Sequence, residues 1–457
     1  MTQEEAERIY ALGREAVIFT LLRLAAMAGA GAVKAPAPLT PSGMVPPQQK
    51  PKAKSKPKKP GAKKGHPGSS RPVPEQITHE QEHPALDRCP DCGAKLGRPR
   101  TRRFRLIEDI VEHSPEVTRH CIPRSWCSQC KKYVEPPVVD AMAGARIGHR
   151  TVALSSWLHY GLGNTTSQIL SVLNHHLHFQ MTAGGLVAAW QRMAEVFQPW
   201  YEQIAEQALE QAVLSADETG WRLSGETVWL WCFTAPRLSY YMIDRSRGRA
   251  ALDKFFTRAF DGILVTDFWA AYDRLQTGGR QTCLAHLLRE LKRVDKLDSS
   301  EEWASYRRKV RRLLRDALRW TGQSRRLPQS LQKVKRTRLH RRLKRLGQVQ
   351  SDNKNVRRIA KRLVRHQQTL LTFLDHDQVP SDNNRAEREI RPAVIMRKNS
   401  LCNRSENGAQ TQAILMSIHR TLKLRGCDPM ETIVSALQHY VRTKHLPQLP
   451  NPMPALR

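Results

Sequence analysis

Apolar positions change their spacing several times along the chain, and each change marks a different predicted element. Ile9, Leu12, Ala16, Leu21 and Leu24 recur at helical spacing and predict a short amphipathic helix within 1–33. Residues 34–75 are rich in Pro, Lys, Gly and Ser. They have too little apolar surface to offset the entropy of ordering, and read as a basic linker. A Cys-containing module follows over 76–140, then a helical region over 141–211. Within the latter, "TTSQILSVLNHHL", "HFQM" and "TAGGLVAAWQRMAEVF" read as helix, turn and helix, with Thr182 capping the second. That helix would bring Thr182, Gln191 and Arg192 near bases if it entered a major groove.

From 212 the spacing shortens. "AVLSADETGWRL", "TVWLWCFTA" and "LSYYMIDRS" predict three successive strands; a helical stretch and a fourth strand, "GILVTDFW", follow. This order predicts a mixed α/β core over 212–300 rather than a regular βαβ repeat. Residues 301–376 return to helical spacing with leucines set among many Arg and Lys residues, which predicts a basic helical insertion. Residues 377–442 read as helix, loop, helix, turn and helix, and 443–457 as a tail. The fold class expected is therefore multidomain α+β.

Charge narrows the partner. The formal net charge is +33 over 457 residues, which favours a polyanion and salt-dependent binding. No uninterrupted apolar run reaches the length of a membrane span, so no membrane partner is expected. The stretch 16–33 loosely imitates a signal peptide, but Arg23 interrupts it and Glu4, Glu5 and Glu7 precede it. Nine cysteines argue against a disulfide scaffold and for a reducing, bacterial cytoplasmic setting, close to the nucleoid if DNA is the partner.

Four of those cysteines form two CxxC knuckles, Cys89 with Cys92 and Cys127 with Cys130. Two such turns can present four thiolates to one structural Zn²⁺. The stretch between them alternates enough to supply the strands of a zinc-ribbon-like module. Cys121 reads as a small buried hydrophobe. His175, His176 and His178 have no partner at ligand spacing and read as non-metal.

The candidate chemistry lies in three acids. Asp217 and Asp267 each stand where an apolar strand runs on or runs out, positions from which a rigid sheet can hold a carboxylate at a cleft. Glu387 follows the capping "SDNN" on a predicted helix. Two acids on strands and one on a helix suit a pair of Mg²⁺ ions (Mn²⁺ can substitute), which clamp the attacking and leaving oxygens of a phosphodiester. Arg385, Arg388 and Arg391 would face the phosphate backbone, as would Arg397, Lys398 and Asn399 before the loop "CNRSENGAQ". Glu389 falls on another helix face and is expected to pair with an arginine, and strand alternation puts Glu218 opposite Asp217. Phe268 and Trp269 are expected to fill core. In "CLAH", Cys283 and His286 have zinc-like spacing without a second pair; His286 is a candidate for orienting a phosphate.

These motifs together resemble the insertion sequence 66 family of transposases. The matching stretches are "GAKKGHPG", "CPDCG", "CSQCKKYVEPPV", "SADETGW", "TDFWAAY", "CLAHLLRELKR", "DNNRAEREIRP", "RKNSL" and "CDPMETI". The resemblance implies a DDE recombinase with a ribonuclease-H-like core, a metal triad at Asp217, Asp267 and Glu387, zinc at the four CxxC cysteines, and binding of DNA ends by the N-terminal half. It also implies the partners: terminal inverted repeats, target DNA, a homo-oligomer on the DNA and accessory proteins of the same element. Two other readings fit the residues. One is a zinc-ribbon and helix–turn–helix regulator with an inactive core; the other is a ribonuclease-H-type nuclease without strand transfer.

Overall fold

A computed structural model describes residues 76–98, 101, 104–107, 115–323, 328–400 and 402–452. The expected N-terminal helix and basic linker lie outside the described residues. The described residues up to 115 belong to one compact unit and those from 116 to another.

In the smaller unit the chain turns sharply at "CPDC". Cys89 N–H donates to Ala94 O, Gly93 N–H donates to Cys89 O, and Gly93 takes a positive φ of 73°. Glycine is favoured at such a position because it has no Cβ to clash.

The larger unit opens with a short antiparallel ribbon, β1 (Ser125–Cys127) and β2 (Lys132–Val134), whose tip is the "CSQC" turn. The strands expected between the two knuckles are otherwise absent from 104–107 and 115–124; residues 108–114 lie outside the described residues. Cys121 corrects another expectation, since it is exposed rather than buried.

Helices α1 (His149–Ser156), α2 (Thr166–Ser171) and α3 (Ala183–Leu209) follow. Thr165 and Gln168 form a capping box at α2, and Thr182 caps α3 by accepting from Gly185 N–H at 3.2 Å. Between them the chain turns at His178, φ 53°. The expected helix, turn and helix are therefore formed. The long α3 buries Leu186, Trp190, Phe197, Trp200 and Ile204, which commits most of its length to the core.

The sheet contains β3 (Val213–Leu223), β4 (Glu226–Ala235), β5 (Leu238–Asp244), β6 (Phe260–Thr266) and β7 (Thr277–Thr282), with α4 (Arg249–Phe255) before β6. The order is β5-β4-β3-β6-β7. The first three strands are an antiparallel meander, while β6 and β7 run parallel to β3. Ser224 and Gly225 join β3 to β4 with both φ values positive, the two-residue turn whose twist matches a hairpin. The sequence pattern does not reveal β7, because "TGGRQT" is polar and glycine-rich. There a Cβ on Gly278 would sit 1.9 Å from Asp261 O, so the absent side chain is what lets the strand approach.

Helices α5 (Leu284–Val294), α6 (Glu301–Gln323), α7 (Gln329–Gly347) and α8 (Lys354–Arg365) come next. Trp303, Tyr306, Leu313, Leu343, Ile359 and Leu363 give them a core that also includes Ile263 and Val265 of β6. Helices α9 (Asn384–Asn399), α10 (Glu406–Leu424) and α11 (Pro429–Thr443) complete the described chain. The edge strand β5 is covered by α10: Ser417 Oγ accepts from Tyr241 N–H at 2.9 Å and Thr421 Oγ1 from Ser239 N–H at 3.1 Å.

Candidate active site

Sheet register brings the two aspartates side by side. Ser215 of β3 pairs with Val265 of β6 in parallel, and Asp217 and Asp267 each follow their partner by two residues. Neighbouring strands lie about 4.8 Å apart, so both carboxylates leave adjacent strands at the same end of the sheet. Asp217 Oδ1 accepts from Glu218 N–H at 3.0 Å, and Asp267 Oδ1 accepts from Trp269 N–H at 2.8 Å.

Glu387 comes from the first turn of α9, and a set of hydrogen bonds fixes where that turn begins. Cys283 N–H donates to Thr266 O at 2.9 Å, directly before Asp267. Asn383 N–H donates to Cys283 Sγ at 3.1 Å, and its side-chain amide donates to Ala216 O at 2.8 Å, directly before Asp217. The three acids thus hang from one stitched junction of β3, β6, α5 and α9. Neither Cys283 nor Asn383 is identifiable from the sequence as a brace, because such bonds join distant segments.

The electrostatics place all three acids in one field. Burial, then the charges of Glu218, Asp267 and Glu387, push the Asp217 carboxyl well above the usual carboxylate range. Glu218, on the opposite strand face as alternation predicts, is closed off by Arg247 at 2.9 Å and by the Tyr272 hydroxyl at 2.8 Å. The Arg247 guanidinium lies 4.4 Å from the Trp229 ring centroid and 4.1 Å from that of Trp269. Trp269 and Phe268 are half-buried and pack against the core, as expected.

Glu387 Oε1 is held by Arg289 of α5 and lies 3.7 Å from His286 Nδ1. Burial, then the Arg289 charge, pushes the His286 imidazole below its ordinary value. Glu389 turns the other way, into a buried ion pair with Arg420 at 2.7 Å, which matches its expected role. The oxygens of Asp217, Asp267 and Glu387 are not all mutually within 4.8 Å. Among the described residues, the one group of His, Cys, Asp or Glu ligand atoms that close is Cys283, His286 and Glu387.

The basic candidates are distributed unevenly. Arg388, Arg391 and Lys398 are exposed and Arg385 is half-buried. Arg397 is engaged on β3, donating to Thr219 Oγ1 at 3.1 Å and to Gly220 O. Asn399 and Gln191 line one cavity of about 780 Å³ that also meets Thr165, Asn403 and Arg404; Arg192 is exposed one position on. A second cavity, about 710 Å³, lies between α6 and α7. Lys309, Arg312 and Arg319 line one side and Lys335, Arg338 and Arg345 the other. The single acid there, Asp316, is paired with Arg342 at 2.7 Å.

Each knuckle has geometry suited to a thiolate ligand. In the smaller unit, the N–H groups of Asp91 and Cys92 lower the pKa of the Cys89 thiol. In the larger, Cys130 N–H donates to Cys127 Sγ at 3.4 Å and does the same there. Backbone donors aimed at the first sulfur of a CxxC turn favour the deprotonated form that binds zinc.

Residues 144–411, more than half of the chain, match the family model described as "Transposase IS66 family". The chain belongs to the IS66 transposase family. Residues 87–131, which contain both CxxC pairs, match the zinc-finger binding domain of transposase IS66, and this supports structural zinc. Two relatives, both from Sinorhizobium fredii, are named as uncharacterized proteins. One, y4qI, is 28% identical over 55% of this chain and 52% of its own length. The other, y4jD, is 26% identical over 77% of this chain and 74% of its own length. The chain thus spans about half the length of one of these curated relatives and three quarters of the other. The described residues contain no helix long and apolar enough to cross a membrane.

Proposed function

We propose that the chain is a DNA transposase. It binds the terminal inverted repeats of its element, cleaves at the ends, and joins the freed 3′-hydroxyl to target DNA. The observation that carries this reading is the stitched junction that ties together the elements bearing Asp217, Asp267 and Glu387. The core is read as ribonuclease-H-like, a reading supported by the sheet order and the parallel sense of β6 and β7.

The three carboxylates offer the hard oxygen donors that Mg²⁺ requires, and the raised pKa of Asp217 reflects, after burial, mutual repulsion that a cation would relieve. When bound, a Mg²⁺ pair would supply an activated nucleophile and neutralise charge building on the phosphodiester. The chain's own residues would do the rest. Asp217 and Asp267 are fixed by the sheet, and Glu387 can leave Arg289 by rotating its side chain from the first turn of α9. Arg388, Arg391 and Lys398 would continue from that helix as contacts to the phosphate backbone, and Cys89, Cys92, Cys127 and Cys130 would be the ligands of the structural zinc that the zinc-finger match supports. The expected working form is a homo-oligomer on the DNA.

Asp267→Asn tests the assignment. Metal-dependent cleavage should fall by at least about 10³-fold, several kcal/mol of charge stabilisation, while DNA binding stays within a few-fold of wild type. Comparable cleavage by the variant would reject the triad. Strand joining of a labelled 3′-hydroxyl end separates a transposase from a nuclease that only cuts.

A further inference from the structure

"CLAH" lacks a second ligand pair in the sequence; the fold supplies a third ligand from elsewhere. Cys283 occupies the N-cap position of α5 and His286 follows within its first turn, so both come from one helix end. Glu387, brought by α9, completes a set of sulfur, nitrogen and oxygen atoms that all lie within 4.8 Å of one another. His286 Nδ1 is buried with no hydrogen-bond partner, 3.7 Å from Glu387 Oε1. A buried ring nitrogen without a partner is uncommon, and it is an open ligand position. Cys283 Sγ already accepts Asn383 N–H at 3.1 Å, as metal thiolates commonly do.

We propose that Cys283, His286 and Glu387 form a binding site for a borderline-soft divalent ion such as Zn²⁺, and that such an ion withdraws Glu387 from the Mg²⁺ triad. The donor set selects the metal. Thiolate and imidazole suit Zn²⁺ and Co²⁺ and suit Mg²⁺ poorly. One thiolate, one carboxylate and one neutral imidazole balance a 2+ ion, and three protein ligands leave a fourth position for water. Binding releases the Cys283 proton to solvent and displaces Arg289 from Glu387. Glu387 cannot serve both sites at once, so zinc at this site opposes magnesium at the other. The inhibitory half of the proposal rests on the transposase reading; the existence of the site does not.

Two measurements on the full chain test it, both starting from protein loaded with one equivalent of zinc for the CxxC module and dialysed free of excess metal. In the first, Co²⁺ is titrated in excess Mg²⁺ and absorption is followed. Wild type should take up one equivalent with a thiolate-to-cobalt charge-transfer band. That band should vanish in Cys283→Ser and weaken in His286→Gln, with affinity reduced at least about tenfold, a loss that even an outer hydrogen-bond partner's removal can cause. No uptake by wild type, or an undiminished band in Cys283→Ser, overturns the site. In the second, Zn²⁺ is titrated into the Mg²⁺-dependent cleavage reaction. Because Cys283 also braces the acids, each protein is read against its own zinc-free rate; Cys283→Ser should then need about tenfold more Zn²⁺ for half-inhibition, and identical zinc sensitivity overturns the competition. If no cleavage occurs in any protein the transposase reading fails, while the cobalt titration still decides the site.

Discussion

The side-chain amide of Asn383 donates to the backbone carbonyl of Ala216 at 2.8 Å, tying the start of the Glu387 helix to the residue before Asp217. Through its own N–H the same residue holds Cys283, which in turn holds Thr266, the residue before Asp267. Asn383 is fully buried, so its bond is shielded from water. Carboxylates that repel one another need such a brace, because nothing in their own interaction keeps them together.

Asn383→Ala should therefore weaken both fold and chemistry. Leaving the buried Ala216 carbonyl unpaired costs about 1–3 kcal/mol, read as a lower midpoint in urea. Cleavage should fall further than DNA binding, since the substitution misplaces Glu387 rather than the basic surfaces. Cleavage and binding falling in parallel would make Asn383 a general packing residue.

Asp217 predicts a stability trade. Its carboxyl titrates well above 3.8 in the folded chain, so the unfolded chain ionises first as pH rises. Stability contributed by the protonated form is therefore lost progressively from about pH 4 upward, as far as the raised folded value. At neutral pH and without divalent metal, Asp217→Asn should melt higher, by about 2–4 °C per kcal/mol gained for a domain of 150–250 residues. Added Mg²⁺ should raise the melting point of wild type and not of the variant. Thermal scans at pH 4 and pH 7.5 check the sign: the difference should shrink at the lower pH.

The zinc module should respond separately. Cys89→Ser should lower bound zinc, measured by release to a chromophoric chelator, and should make residues 76–140 protease-sensitive. Melting of the catalytic core should stay within about 0.5 kcal/mol, as for a change away from its packing. Undiminished stoichiometric zinc would remove Cys89 from the ligand set.

The groove between α6 and α7 predicts salt-dependent affinity. Arg312, Arg338 and Arg345 line it, and no ion pair to an acid is formed by any of the three among the described residues. Replacing all three with Gln should flatten the plot of log affinity against log salt, by about 0.9 for each phosphate no longer neutralised. An unchanged slope would make this surface a solvated helical face and nothing more.

Much of this is legible in the sequence, for identifiable reasons. β3, β4, β5 and β6 carry continuous or alternating apolar runs, and Thr182 announces α3 by its capping chemistry. The two aspartates stand out because apolar strands lead into them, and Glu387 because it follows the capping "SDNN". β7 does not, since its glycines serve a close approach to Asp261 that exists only in the fold. Cys121 reads as buried by residue type yet is exposed, because local composition does not reveal whether a core lies nearby. The engagement of Arg397 with Gly220 and the brace at Asn383 link residues far apart in the chain, and no periodicity signals them.

The most direct test is the anomalous signal of Mn²⁺ in crystals of the full chain with a DNA end bound. Metal should lie within bonding distance of oxygens from Asp217, Asp267 and Glu387 together. Manganese bound with Glu387 still turned to Arg289, or bound away from either aspartate, would contradict it.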